Sequence, residues 1–134
     1  MPRDRELVLD ENLHHRLATE LRNRGRRAQS VLSIGLAGER DPDLLRRLSS
    51  MFRPESWVLV TADDRMPADH GELIAELGVT IATIDRRRES ICNHDEWRRD
   101  VVQRWVHAMQ DQPPNSVRRY GISGHRTWTA RGRR

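Results

Sequence analysis

The chain has no lysine: all 24 of its basic residues are arginine, set against 20 carboxylates and six histidines in 134 residues. We read this uniformity as genomic base composition rather than selection for guanidinium chemistry, but it excludes any site built on a lysine amine. Cysteine is nearly absent too. The single Cys92 cannot form an internal disulfide or supply a cysteine zinc cluster, so stability has to come from packing, an ion or a partner. Long apolar runs are also missing. The longest, such as Trp57 to Ala62, fall far short of the about 20 residues that a membrane span needs. Met1-Pro-Arg-Asp-Arg-Glu6 lacks the apolar centre of a signal peptide. These absences predict a soluble, cytoplasmic protein with no membrane partner, and the length suits a single domain with a short appendage.

Charge is unevenly spread. Residues 1–85 carry 12 Arg and 15 Asp or Glu, while residues 86–134 carry 12 Arg and 5 Asp or Glu. An acidic part followed by a basic one suits an enzyme that draws a polyanion toward carboxylates, although a basic tail on an ordinary soluble protein gives the same count.

Along the chain, apolar runs alternate with helical periodicity. Leu7-Val8-Leu9 reads as a buried strand that stops at Asp10-Glu11-Asn12. Leu13, Leu17 and Leu21 then recur at helical spacing before Gly25. A second strand is expected over residues 28–34. Asp41-Pro42, as N-cap and first helical residue, opens a second helix with Leu44, Leu45, Leu48, Met51 and Phe52 inward. Trp57-Val-Leu-Val-Thr61 is a third strand and ends in Asp63-Asp64. Asp69 with Glu72 reads as a capping box, and Gly78 closes that helix. Val79 to Ile84 is a fourth strand ending at Asp85. Asn93 and Glu96 form another capping box ahead of a helix striped by Trp97, Val101, Trp105 and Met109. The expectation is an α/β fold with helices on both faces of a parallel sheet, residues 1–110 forming the domain. Residues 111–134 form a basic C-terminal arm that is disordered, adds an edge strand through Arg126–Ala130, or lies on a partner; composition does not decide among these.

Open parallel sheets bind ligands at the carboxyl ends of their strands, where strand order reverses. Asp10 and Glu11, Asp41, and Asp63 and Asp64 all map to that edge. Carboxylates gathered there repel one another unless a divalent cation neutralises them, and all-oxygen ligation suits Mg²⁺ or Mn²⁺ rather than zinc. Each acid has a blander explanation alone: Asp10 and Asp41 as caps, Asp85 as a partner of Arg86 to Arg88. The conjunction of three elements delivering acid to one edge carries the argument.

Leu7-Val-Leu-Asp-Glu-Asn-Leu13, Gly38-Glu-Arg-Asp41 before a leucine-rich helix, and Val58-Leu-Val-Thr-Ala-Asp63 resemble the PIN-like domains, the fold of the VapC toxin ribonucleases. The resemblance covers roughly residues 6–85. It implies a three-layer αβα fold with a central parallel sheet of four to five strands. It further implies an Mg²⁺- or Mn²⁺-dependent endoribonuclease that hydrolyses RNA phosphodiesters with metal-activated water. The implied ligands are Asp10, Asp41, Asp63 and Asp64, with Asn12 and Thr61 orienting water or phosphate. The partners implied are an RNA substrate, a cognate antitoxin protein and a second copy in a homodimer. Many relatives continue Thr-x-Asp-x-Asp-Phe where this chain reads Thr61-Ala-Asp-Asp-Arg-Met66. The fourth ligand is therefore shifted to Asp64, supplied by Asp85, or missing, and a catalytically degenerate module that binds RNA or protein without cleavage is the alternative.

Two other α/β readings fail. A phosphoacceptor receiver needs a lysine, and a topoisomerase-primase type domain needs Asp-x-Asp, which Asp63-Asp64-Arg65 does not supply. The histidines suggest no pairing: His14 and His15 are expected on the first helix, facing different directions. Trp97 and Trp105 read as core or a dimer face, Tyr120 and Trp128 as weak candidates for RNA stacking, His125 as a weak candidate for phosphate contact, and Cys92 as inert.

Overall fold

The computed structural model describes residues 5–84, 94–121 and 125–128. Asp85, the arginine run after it, Cys92 and Asn93 lie outside these residues, as do the side chains of His125 and Trp128. Strands β1 (Glu6–Leu9), β2 (Ala28–Ser30), β3 (Trp57–Thr61), β4 (Ile81–Ile84), β5 (Val117–Tyr120) and β6 (His125–Trp128) form one sheet in the order β2-β1-β3-β4-β5-β6. The first five are parallel and β6 pairs antiparallel with β5 at the edge. Helices α1 (Arg16–Asn23), α2 (Asp41–Met51), α3 (Met66–Asp69), α4 (Gly71–Leu77) and α5 (His94–Gln110) fill the connections.

The strand pleat sorts side chains onto two faces, because successive residues point opposite ways. Leu7, Leu9, Val58, Val60, Ala82, Ile84 and Tyr120 pack against Leu17 and Leu21 of α1 and against Val101, Val102, Val106 and Met109 of α5. Val8, Trp57, Leu59, Ile81 and Val117 pack against Leu44, Leu45 and Leu48 of α2, with Met66 and Ile74. This is the three-layer arrangement expected of near-continuous apolar strands buried on both faces. Glu20 clasps α1 to α5 by accepting hydrogen bonds from Arg99 at 2.7 Å and Gln103 at 3.0 Å.

Several local expectations are corrected. The strand expected over 28–34 stops at Ser30, whose carbonyl accepts Ser33 N, Ile34 N and the Ser33 hydroxyl, so local serine bonding turns the chain out of the ladder. Asp41 is not a cap: Arg40 occupies that position without a side-chain cap bond, which leaves the Asp41 carboxylate unspent. The capping box at Asp69 and Glu72 does not form, since His70 sits at the start of α4 and makes no cap bond. Gly78 does close α4, with φ of 71°.

The larger correction concerns the division at residue 110. The chain beyond it supplies β5 inside the sheet and β6 outside, so it is not a separate arm. Gln112, wholly buried, locks this segment in place: its amide donates to Ile81 O at 2.7 Å and Ser116 O at 3.1 Å and its carbonyl accepts the Tyr120 hydroxyl at 2.8 Å. Arg5, itself buried, donates to the backbone carbonyl oxygen of Gln112. Gln112→Ala removes the acceptor of the Tyr120 hydroxyl and both amide donations to the Ile81 and Ser116 carbonyls, and leaves a cavity in a buried segment. It is expected to cost about 1–3 kcal/mol, read as a lower urea midpoint at unchanged slope.

Candidate active site

The strand order turns at the β1/β3 boundary, because α1 leaves β1 toward one edge and α4 leaves β3 toward the other. In sheets wound this way the crevice beyond that boundary holds the ligand. Asp10 follows β1 directly and is 6% exposed. Its backbone N–H donates to Val60 O at 2.9 Å, which anchors the turn to β3. Thr61 ends β3, is fully buried, and donates its hydroxyl to Asp10 Oδ2 at 2.8 Å. The same Oγ1 accepts Asn12 Nδ2 at 3.1 Å and Asp63 N at 3.1 Å, so its one donor and both lone pairs are used. Asn12 Oδ1 accepts Ala62 N at 3.0 Å, and Glu11 N donates to Asp10 Oδ1 at 2.8 Å. Asp10, Asn12, Thr61 and Asp63 are therefore one bonded unit.

Asp41 comes to this unit from α2. Its carboxyl is held above the ordinary range by burial first and then by Asp63, Asp69 and Glu11 as like charges, while His70 pulls it down. His70 Nε2 stands 3.7 Å from Asp41 Oδ2. Asp10 is likewise raised, chiefly by burial and further by Asp41 and Glu11, against the lowering effect of its Thr61 and Glu11 hydrogen bonds. Asp41 thus links the acids expected at one edge, raising Asp10 and being raised by Asp63. Asp64 is half-buried and registers as a neighbouring charge at neither Asp10 nor Asp41.

Two participants were not read from sequence as part of the site. Asp69 was expected to cap a helix and His70 carried no role; both reach Asp41 because the chain breaks between α3 and α4 at His70. Glu11 accepts Gly38 N at 2.5 Å, strapping the loop ahead of Asp41 to the turn after β1. The signal for this was the isolated Gly38, whose φ of 86° turns its N–H back. His14 and His15 are corrected as well: α1 starts only at Arg16, both precede it, and their rings stack at 4.6 Å instead of diverging. Arg98 of α5 donates to Asn12 O at 2.9 Å, setting a cation behind the acidic turn.

A family model described as "PIN like domain" matches residues 6–88, more than half of the chain and all of the strand ends just described. The chain belongs to the PIN-like family. No curated protein and no solved structure matches it. PIN-like domains are generally nucleases and are typically dependent on divalent metal, so the donor set has to be tested for such an ion. Carboxylate oxygens raised by mutual repulsion are the right kind of donor for a hard cation. Among the described residues, however, no three His, Cys, Asp or Glu side chains stand close enough together to hold an ion. The site fits a divalent ion in chemistry, and its ligands stand more widely spaced than a closed metal site.

Because Asp41 is raised in the folded chain, the folded state binds its proton more readily than the unfolded state does. Stability then falls as pH rises from the ordinary carboxylate value through the raised one, and the full penalty is present at neutral pH. Asp41→Asn is expected to raise Tm at pH 7.5. The gain should shrink to nothing below about pH 3.9, where both states are protonated; a thermal-melt series across pH checks this, and a gain that does not change with pH counts against ionisation of a buried, crowded Asp41 as its source.

Proposed function

We propose that this PIN-like domain is an Mg²⁺- or Mn²⁺-dependent endoribonuclease that hydrolyses RNA phosphodiesters at the Asp10–Asp41–Asp63 cleft. The observation that supports this reading most is the hydrogen-bonded unit that sets Asp10 and Asp63 side by side through Thr61 at the β1/β3 switch point, with Asp41 close enough to act on its charge. Asp10, Asp41 and Asp63 would hold the ion, and Asp64 is the expected fourth ligand. When bound, the ion supplies Lewis-acid charge that lowers the pKa of water and offsets charge on the leaving oxygen.

The chain's own residues do the rest. Thr61 fixes the rotamer of Asp10 through its 2.8 Å donation and fixes Asp63 through its backbone N–H. Asn12, bonded through its amide to Thr61 and Ala62, holds the turn after β1 against the turn after β3. Arginines on the basic second half attract the RNA backbone, so binding weakens steeply with salt. No helix among the described residues is long and apolar enough to cross a membrane. By family analogy the protein acts in the cytoplasm as the toxin of a toxin–antitoxin pair, as a homodimer whose acidic cleft the antitoxin blocks.

A second reading has an observation in its favour: the wide spacing of the acids suits a degenerate module that binds RNA or protein without cutting. One experiment separates the two. Protein with Mn²⁺ should cleave single-stranded RNA, and EDTA or Asp10→Asn should abolish cleavage by at least a hundredfold, about 2.7 kcal/mol. Calorimetry should show Mn²⁺ binding lost in Asp63→Asn. RNA binding with no cleavage and no Mn²⁺ heat in the wild type establishes the degenerate module instead.

A further inference from the structure

Beside the carboxylates lies a cavity of about 370 Å³ bounded by the turn after β1, the stacked imidazoles and the loop after β2. Its walls include Asp10, His14, His15, Ser30, Leu32 and Ala37. Leu32 is 57% exposed, one of two large apolar side chains so exposed among the described residues. An aliphatic surface left in water costs free energy unless something covers it, and this one faces a polar cleft rather than a second apolar patch.

The polar groups around it are arranged for an uncharged ring. Each Asp10 oxygen already accepts one hydrogen bond, from Glu11 N and Thr61 Oγ1, which fixes the carboxylate as one wall and leaves its remaining lone pairs for an ion. Glu11 has one oxygen committed to Gly38 N and the other unengaged, an acceptor at the rim. His14 Nδ1 accepts Arg16 N at 3.1 Å, which places the ring proton on Nε2 and makes that nitrogen a donor. A flat ring with donors and acceptors on its edge and apolar faces meets each of these demands. Unpaired bases stack on aromatic rings, histidine included, and extruded bases are held between aromatic and apolar side chains with hydrogen bonds at their edges.

We propose that this cavity is a subsite for one unpaired nucleobase of the RNA strand, adjacent to the bond being cut, with Leu32 as its platform. The proposal rests on the nuclease reading and adds to it a reason for single-strand selectivity: a base held in a duplex cannot enter. It also makes the cleft asymmetric, since the base seats on the β2 side of Asp10 and the arginine at Asn12 O stands on the α5 side.

The test uses full-length protein in EDTA, with fluorescein-labelled single-stranded RNA octamers in which each position in turn is made abasic, read by anisotropy. One abasic position should weaken wild-type binding about tenfold, the scale of one stacked base. Leu32→Ala and Ala37→Phe, the latter filling the cavity from an exposed position, should weaken binding of intact RNA by a similar factor. Neither should weaken binding of that one abasic strand further. Met51→Ala, at the other exposed apolar residue, should change nothing. If both variants bind intact RNA as wild type does, or lose as much on the abasic strand, the subsite is overturned while the nuclease reading stands. If wild type neither binds nor cleaves intact RNA, the nuclease reading falls and takes the subsite with it.

Discussion

The Thr61 hydroxyl is the contact on which the arrangement of the cleft depends. It is a small group with one proton and two lone pairs, and all three are committed across the gap between β1 and β3: to Asp10, from Asn12 and from the Asp63 backbone. The sheet delivers two acidic turns to the same edge, but backbone ladders alone do not fix the rotamers of the side chains that follow. A saturated hydroxyl does. It is also buried with no exposure, so water cannot substitute for any of its partners, and each of the three groups would lose a bond if a valine stood in its place. Serine would keep the bonds but lose the β-branched stiffness that sets the hydroxyl's direction.

The carboxylates themselves are arranged at the expense of stability. Asp10 loses more by burial than it regains from two hydrogen bonds, and Asp41 adds repulsion from Asp63, Asp69 and Glu11. Nothing in packing requires this: the apolar clusters on the two faces are complete without these side chains. A fold assembled for stability alone would put neutral groups at this edge. Strain of this kind, kept where ligands are expected, is characteristic of a functional site.

How much of this was legible in the sequence follows from which interactions are local. Strands β1 and β3 and the leucine faces of α1 and α2 announce themselves through uninterrupted apolar periodicity. Asp10, Thr61 and Asp63 could be placed because they end such strands. Strand β5 escaped notice because Val117-Arg-Arg-Tyr120 reads as basic, although its two arginines lie half-buried along the sheet while Val117 and Tyr120 are buried. Arginine stems pack as hydrocarbon while their heads find water or partners, and composition cannot register that. Helix boundaries failed for a related reason. Asp41, Asp69 and Asn12 all have the right residue type for caps, yet the first two face another part of the chain and the third is spent on Thr61 and Ala62. Such choices are made by tertiary neighbours far away in sequence. The strap from Glu11 to Gly38 spans 27 residues, and only the glycine at its far end marks it in the sequence.

These observations combine in the relation between the acidic cleft and whatever neutralises it. The Asp10–Asn12–Thr61–Asp63 unit is held by strand ends and is fully bonded, whereas Asp41 is carried on a separate helix whose preceding loop is tied in by one exposed carboxylate contact. The like-charge terms at Asp41 therefore act between two parts of unequal rigidity. A divalent cation that binds the folded chain and not the unfolded one stabilises it by mass action. Here it would do so twice over, by its own binding and by relieving a repulsion that the fold otherwise bears. Any such stabilisation would act through Asp41, whose like-charged neighbours lie on both sides of the β1/β3 crevice.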